Sequence, residues 1–197
     1  MDLNEDKRIV RTRKILRGVF LELIMEKGLD YVTVKELTER AGLNRGTFYL
    51  HYKDIDDFYE QYSVDILEGY RKVIKKLGLS RNTQGPFIEP PYGYIKPFEY
   101  VIEHGEFFKC FMGPNGDPSF SVKLRELIRE QLHHSFQSRR GQMIEVSVKQ
   151  QYVFSYISSA YVGTLEFWIS QGMNISSKNI SILFTEISQL GSSNLDF

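Results

Sequence analysis

The sequence has one cysteine in 197 residues, Cys110, so an internal disulfide is excluded. It has no run of about 18 consecutive apolar residues, and its charged first residues lack the apolar region of a signal peptide. We therefore expect no transmembrane helix and a cytoplasmic location. An excess of either charge is also absent, because 25 Lys and Arg balance 25 Asp and Glu. This balance argues against a protein that binds nucleic acid along its whole surface.

The sequence also lacks the patterns of common catalytic and metal sites. His133 and His134 are adjacent, so their side chains diverge by about 100° on a helix, and no histidine has metal-ligand spacing to acids or to Cys110. Residues 113–118 are rich in glycine and proline but lack the Gly-Lys-Ser/Thr ending of a phosphate loop, so they predict a turn. We expect no enzyme, no metal site and no cofactor.

Apolar residues recur at three- and four-residue spacing through most of the chain, which is typical of helices that pack on a core. Breaks fall at glycines and prolines, so the sequence predicts an all-α fold of about nine helices. They cover about 6–27, 33–41, 45 onward, 54–77, 95–104, 106–112, 119–138, 144–171 and 177–190. Residues 79–94 are rich in proline and glycine and predict a loop, which either closes over a cavity or simply connects two helices.

Residues 33–53 predict two short helices with a tight turn between them. Thr33 and Glu36 have the spacing of a capping box, in which each side chain accepts from the other residue's backbone N–H. Gly42 suits the left-handed conformation that ends a helix, and Asn44 is a favoured N-cap for the next one. A helix, a turn containing glycine and a second helix form the helix-turn-helix pattern of DNA-binding proteins.

The second of these helices has two unlike faces. Phe48 and Tyr52 fall on one side and are the obvious packing residues, whereas Gly46 and Leu50 fall on the other. Glycine in a helix interior costs about 1 kcal/mol relative to alanine. Such a short helix therefore depends on packing against the rest of the protein.

Two interpretations explain Gly46: it lets another protein element approach, or it lets a DNA backbone approach. In the second, Thr47, Tyr49 and His51 donate to phosphates and Leu50 meets a thymine methyl group. We favour DNA, because polar and aromatic groups converge on this one face.

Four segments carry a family pattern. They are Glu26-Lys27-Gly28, Thr33-Val34, Ala41-Gly42-Leu43-Asn44-Arg45-Gly46-Thr47-Phe48-Tyr49 and His51-Tyr52. With the amphipathic helix before them, residues 11–62 resemble the DNA-binding domain of the TetR family of bacterial transcriptional regulators. The resemblance and the helix face together assign ten residues to DNA contact. They are Thr33, Lys35, Asn44, Arg45, Gly46, Thr47, Tyr49, Leu50, His51 and Lys53.

The resemblance implies a bacterial, cytoplasmic homodimer that binds a palindromic double-stranded operator as a repressor and is released by a small ligand. An alternative is a regulator, including an activator, that a protein partner controls instead. The family commonly has a phosphate-gripping lysine near the start of its fourth helix. Here that position is Ile55, and Lys53 is the candidate to replace it.

We divide the chain into a helix-turn-helix domain, 1–53, and a helical effector-binding and dimerisation domain, 54–197, with the helix over 54–77 joining them. The last two helices are apolar enough to pair with a second copy as a four-helix bundle, as the family does. The alternative is that they complete a monomer core. The predicted interface residues are Val162, Leu165, Ile169, Ile180, Leu183, Phe184 and Ile187.

Aromatic residues are frequent in the predicted effector domain. Each is more often core than pocket, but their number and the tyrosine hydroxyls favour an apolar cavity with a few polar groups. The candidate lining residues are Phe98, Tyr100, Phe107, Phe108, Phe111, Phe120, Tyr152, Tyr156 and Trp168. We interpret Cys110 as a buried, small hydrophobic residue.

Basic residues crowd the first predicted helix: Lys7, Arg8, Arg11, Arg13, Lys14 and Arg17. Such a cluster is usually a solvated helix face. Beside a helix-turn-helix, the alternative is a general attraction for DNA phosphates.

Overall fold

The computed structural model describes residues 7–75, 92–140 and 146–192. Within these ranges the chain is entirely helical, with nine α-helices, a 3₁₀ turn at Leu29–Tyr31 and no strand. The helices are α1 (Lys7–Lys27), α2 (Val34–Arg40), α3 (Arg45–Tyr49), α4 (Ile55–Ile74), α5 (Tyr92–Glu103), α6 (Gly105–Phe111), α7 (Pro118–Arg140), α8 (Val148–Ser170) and α9 (Ser177–Ser192). The predicted all-α fold is confirmed.

Two predicted boundaries differ from the observed ones. Helix α5 begins at Tyr92, inside the predicted loop, although Pro97 lies within it. The Ser181 hydroxyl of α9 donates to the Tyr94 carbonyl oxygen (3.1 Å), so a tertiary contact supports this first turn against its poor propensity. Helix α8 begins at Val148 after a capping box at Ser147, later than predicted. The rest of the predicted loop, 79–91, and the predicted end of the fourth helix at 76–77 lie outside the described residues.

The first three helices pack around aromatic and aliphatic side chains of α1. Leu16, Phe20, Leu23 and Ile24 are fully buried there, at the spacing the sequence indicates. The Phe20 ring meets the Phe58 ring of α4 edge to face, with centroids 5.0 Å apart. The helix-turn-helix therefore shares its core with α4.

Helix α4 also packs on the larger helical part of the chain. The Tyr59 ring stacks on Phe111 of α6 (centroids 4.8 Å apart), and the Tyr62 ring meets Phe107 edge to face at the same distance. The Tyr59 hydroxyl donates a hydrogen bond to the Asp117 carboxylate, just before α7. One continuous hydrophobic core therefore runs from α1 through α4 to α8.

Helices α4 and α5 approach closely at Gly69. The Tyr100 hydroxyl donates to the Ile66 carbonyl oxygen (3.0 Å), which lays the phenol over α4. A Cβ at Gly69 would lie 2.1 Å from the Tyr100 hydroxyl oxygen, so any larger residue there would displace the Tyr100 side chain. Deeper in the core, the hydroxyls of Tyr70 and Tyr161 pair at 2.7 Å and join α4 to α8. In the described ranges, no helix is both long and apolar enough to cross a membrane.

Candidate nucleic-acid interface

Local hydrogen bonds set the ends of α2 and α3. The Thr33 hydroxyl accepts from the Glu36 N–H (3.3 Å), and the Asn44 side chain accepts from the Gly46 N–H (2.8 Å), so both predicted N-caps are confirmed. Gly42 has φ +64°, the predicted left-handed end of α2. The second bond of the predicted capping box, from the Thr33 N–H to the Glu36 carboxylate, is wrong. The Glu36 carboxylate binds the Lys27 ammonium group instead.

Phe48 and Tyr52 anchor α3 to the core. The Phe48 side chain is fully buried, and its ring lies 5.3 Å from that of Tyr52 and 5.9 Å from that of Phe58. The Tyr52 and Phe58 rings meet edge to face at 4.7 Å. These contacts fix which side of the five-residue helix α3 points inward.

The opposite side of α3 is open. Leu50 is 78% exposed and Tyr49 is 56% exposed, although both are large and apolar or aromatic. Most of the ten predicted DNA-contact residues lie exposed on α3, its flanks and the first turn of α2: Thr33, Lys35, Asn44, Arg45, Gly46, Tyr49, Leu50 and Lys53. Thr47 and His51 are half-buried beside them. We name the surface formed by Asn44, Gly46, Thr47, Tyr49 and Leu50 the α3 face.

Gly46 leaves room outside the protein rather than inside it. A Cβ at this position would meet only the Asn44 side-chain oxygen among the described residues, at 3.4 Å. No helix or ring of the described chain packs on Gly46, so internal packing does not explain the glycine. The approach of a DNA backbone to Gly46 from outside stays a prediction.

Charged groups flank the α3 face. The Arg45 guanidinium lies 3.7 Å from the Glu39 carboxylate in an exposed pair of the kind that contributes little stability. The Lys53 N–H donates to the Asp57 carboxylate (2.9 Å), and this bond, with another from Gln61, lowers the pKa of Asp57. The Lys53 ammonium group is exposed beside α3, whereas Ile55 packs partly on the core. This placement suits the predicted role of Lys53, which stays a prediction.

Two ion pairs tie the end of α1 to α2. Lys27 binds Glu36, and the Arg40 guanidinium donates to the Glu26 carboxylate at 2.7 Å. The hydrogen bond from Arg40 lowers the pKa of Glu26. Helix α3 is therefore held by α4 on one side and, through α2, by α1 on the other.

The predicted ligand-lining residues fall into two buried groups and an exposed pair. The rings of Phe107, Phe108, Phe111 and Phe120 contact each other, with centroids 4.5–6.3 Å apart. Phe98 lies 5.8 Å from the ring of Trp168, elsewhere in the core. A pocket formed by these residues and the half-buried Tyr100 stays a prediction.

Two assignments to that pocket are wrong. Tyr152 is 76% exposed and Tyr156 is 55% exposed on α8, so neither lies with the buried phenylalanines. Helix α8 is apolar around much of its circumference, and aromatic content alone does not distinguish its inner side from its outer side.

Four of the seven predicted dimer residues also need correction. Val162, Leu165, Ile169 and Ile180 are at most 6% exposed and lie in the chain's own core, so a second copy cannot reach them. Leu183 and Ile187 of α9 remain exposed, and Phe184 is partly buried against Tyr161.

A different stripe of α8 faces outward. Its members recur at four and seven residues, a helical spacing that was readable in the sequence: Val148, Tyr152, Tyr156, Gly163 and Phe167. Phe167 is 69% exposed. We call this stripe, with Leu183 and Ile187, the α8–α9 face.

Sequence comparisons match both parts of the chain. A family described as "Bacterial regulatory proteins, tetR family" matches residues 21–62, the segment that holds the α3 face. A family described as "Transcriptional regulator C-terminal region", the TetR_C_8 family, matches residues 89–190, more than half of the chain. The chain belongs to the TetR family. It is thus a helix-turn-helix transcriptional regulator, as the resemblance indicated.

Individual relatives of this TetR-family chain are distant. Over 54 residues it is 39% identical to the "Uncharacterized HTH-type transcriptional regulator YxbF" of Bacillus subtilis (strain 168), a match that covers 26% of this chain and 14% of that protein. The fold is similar to that of the "Dihydroxyacetone kinase operon activator DhaS" (TM-score 0.60, 14% identity, 95% of this chain and 99% of that chain). The fold is also similar to that of a "Putative TetR-family transcriptional regulator" from Syntrophomonas wolfei str. Goettingen, over 94% of this chain and 97% of that chain (TM-score 0.64, 14% identity).

Proposed function

We propose that this TetR-family regulator is a repressor that binds a palindromic DNA operator as a homodimer and releases it when a small ligand binds the C-terminal helices. The observation that carries the proposal is the α3 face, where Tyr49 and Leu50 project from a helix whose other side is locked in the core. It is proposed as a regulator and not as an enzyme, acting in the bacterial cytoplasm.

The α3 face has the chemistry of a DNA-reading surface. Thr47 and Tyr49 offer hydroxyls to phosphates or base edges, and Leu50 offers an apolar contact to a thymine methyl group. Gly46 removes the side chain where a sugar-phosphate strand would pass nearest to α3. The exposed cations Arg45 and Lys53 flank this surface and supply the sequence-independent attraction.

The α8–α9 face supports the homodimer. Tyr152, Tyr156 and Phe167 expose three aromatic rings along one side of α8, and a single chain in water rarely leaves a large apolar surface uncovered. Gly163 lies exposed between them and lets another helix approach closely. A second copy would cover the same stripe with its own, because a two-fold interface is self-complementary.

A dimer also gives the α3 face its specificity. One five-residue helix touches few bases, so two copies must combine their contacts. Helix-turn-helix dimers read half-sites about 34–36 Å apart, or a multiple of that distance. Any change in the angle between the two α4 helices then moves one α3 face out of its groove.

Activation is the second candidate. The similar fold of DhaS belongs to a protein whose name describes an operon activator. A repressor and an activator would use the same α3 face to bind DNA. The sign of control therefore depends on where the operator lies relative to the promoter.

Selection of bound fragments from a random DNA library, followed by footprinting, tests the proposal. We expect an inverted repeat whose half-sites are spaced by about one helical turn or a multiple of it. The affinity for the selected site should fall steeply with salt. Recovery of no enriched sequence, or of single unrepeated half-sites, would contradict the proposed dimeric operator binding.

A further inference from the structure

A cleft of about 460 Å³ lies between α1, α4 and α6, apart from both the α3 face and the α8–α9 face. One wall is the basic side of α1, with Arg13, Lys14 and Arg17. The opposite wall is formed by His104 and Glu106, where α6 begins. A cleft of this size accommodates a small organic molecule.

Arg17 is held in place at the edge of this cleft. Its guanidinium forms an ion pair with Asp65, and its central carbon lies 4.3 Å from the centroid of the Tyr62 ring. Its Nε atom is buried and has no hydrogen-bond partner among the described residues. A buried N–H without an acceptor is costly, so the chain's own groups leave this guanidinium incompletely satisfied beside the cleft.

The rest of the cleft combines apolar and polar groups. Leu21, Ile66 and the Tyr62 ring line it and are almost completely buried, so they offer a rigid apolar surface. His104 is half-buried, with its ring 4.2 Å from that of Tyr100. Gly18 leaves the middle of α1 open, because a Cβ there would meet nothing within 4 Å.

We propose that this cleft binds a small organic anion, a carboxylate or phosphate on a compact apolar body. The anion lies against Lys14 and Arg17, and the apolar body lies over Gly18 toward Tyr62 and Ile66. Arg13, Lys14 and Arg17 outnumber the nearby carboxylates, which are Glu106 in the cleft and Asp65 paired with Arg17, so the cleft favours negative charge. The guanidinium group of an arginine such as Arg17 is well suited to an oxyanion, because the spacing of its N–H donors matches that of the oxyanion's oxygen acceptors.

The location gives the anion a regulatory effect, a part of the inference that rests on the proposed function. Helix α1 belongs to the helix-turn-helix core, and α6 packs against α1 from the larger helical part. A ligand that contacts both changes the free energy of their relative arrangement, and with it the affinity of the α3 face for the operator. This cleft is separate from the phenylalanine cluster predicted to line a pocket.

Calorimetric titration of the full-length protein without DNA tests the site itself. Phenyl phosphate and benzoate are expected to bind with Kd below about 1 mM, and benzyl alcohol, which lacks the anion, is expected to show no binding up to about 10 mM. Lys14→Gln should weaken phenyl phosphate about ten-fold, since it removes one charged hydrogen bond. Lys72→Gln, which removes a charge from α4 outside the cleft, should not. Equal binding of benzyl alcohol, or no binding of either anion, overturns the proposal.

Gly18→Leu places a side chain in the cleft without changing any charge. Phenyl phosphate binding should fall about ten-fold or more, whereas Gly18→Ala should keep it within about three-fold. Circular dichroism and thermal melting verify that both variants fold. If Gly18→Leu folds and binds the probe like the wild type, the ligand lies elsewhere and the proposal is overturned.

An operator titration with and without phenyl phosphate tests the regulatory part. The apparent Kd for the selected operator should change at least about three-fold in the wild type and remain unchanged in Gly18→Leu. If the probe binds without changing operator affinity, the coupling is overturned and the anion site stands. If no operator exists, the proposed function fails, while the titration without DNA still decides whether the cleft binds anions.

Discussion

Phe48 of α3 contacts Phe58 of α4, with ring centroids 5.9 Å apart, and both side chains are almost completely buried. Phe58 also meets Phe20 of α1 and Tyr52 edge to face. The orientation of the α3 face is therefore set by α4 and α1, because α3 itself has only five residues.

Phe58→Ala should disrupt this arrangement. Removing the ring leaves a cavity among Phe20, Phe48 and Tyr52, and such substitutions cost about 3–5 kcal/mol of unfolding free energy. Urea denaturation followed by circular dichroism measures the loss. Val64→Ala, at an exposed position on α4, is the control and should cost less than about 1 kcal/mol. A small loss in Phe58→Ala would contradict the shared core.

Tyr49→Ala and Thr47→Ala should weaken operator binding and leave the helical content and the dimer intact. Each removes a hydroxyl proposed to bind DNA, and such a hydrogen bond is worth about 1 kcal/mol or more, or roughly five-fold in Kd. Fluorescence anisotropy with the selected operator is the measurement. Tyr31→Ala removes another exposed tyrosine, one outside the α3 face, and serves as the control. Wild-type affinity in both variants would falsify the assignment of this face.

Gly46→Ala should separate folding from DNA binding. Alanine favours the helix over glycine by about 1 kcal/mol, and the added Cβ meets only the Asn44 side chain at 3.4 Å. The melting temperature should therefore stay the same or rise. Operator affinity should fall, because the methyl group occupies the place proposed for the DNA strand. An unchanged Kd with a raised melting temperature would show that the strand passes elsewhere.

Phe167→Glu should convert the dimer to a monomer. The substitution puts a carboxylate on the α8–α9 face of each chain. In a two-fold dimer the two carboxylates would repel each other, and both would lose contact with water. Analytical ultracentrifugation at micromolar concentration is the measurement. Val122→Glu, at a half-exposed position on α7, tests whether any added surface carboxylate has this effect, and it should remain dimeric. A dimeric Phe167→Glu would place the interface elsewhere.

The Cys110 thiol should be unreactive in the folded protein. It is 4% exposed, and burial raises its pKa to about 12, so the reactive thiolate is scarce at pH 8. A colorimetric disulfide reagent at pH 8 should label only a small fraction of the Cys110 thiol over an hour. In guanidinium it should label Cys110 at once. Fast labelling without denaturant would show that the α1–α6 contact opens readily.

The helix-turn-helix could be predicted in detail because its determinants are local. Asn44 caps its own helix and Gly42 adopts a conformation that few other residues tolerate, so both were readable from sequence. The position of the Glu36 side chain could not be predicted, because a tertiary ion pair with Lys27 competes with the local hydrogen bond to the Thr33 N–H. The same holds for the start of α5, which a hydrogen bond from Ser181 supports.

The dimer and pocket residues were harder to predict because α8 has apolar side chains on several sides. Periodicity groups Tyr152 with Phe167 and Val162 with Leu165, but it does not say which group faces inward. The packing of α7 and α9 decides that question, and it depends on contacts distant in sequence. The cleft between α1, α4 and α6 has the same character, since its lining residues come from three separated segments.

The double packing of α4 bears on how new members of such a family arise. Phe58 completes the core beneath α3, while Tyr59 and Tyr62, within one turn, complete the core beside α6. A chimaera joined at residue 53 would place the α3 of another protein against Phe58 of this chain. A chimaera joined after Tyr62 would place the α4 side chains of another protein against α6 of this chain. Exchange of the first helices at either point would therefore disturb one of these two cores. Point substitution on the α3 face is the route that leaves both cores intact.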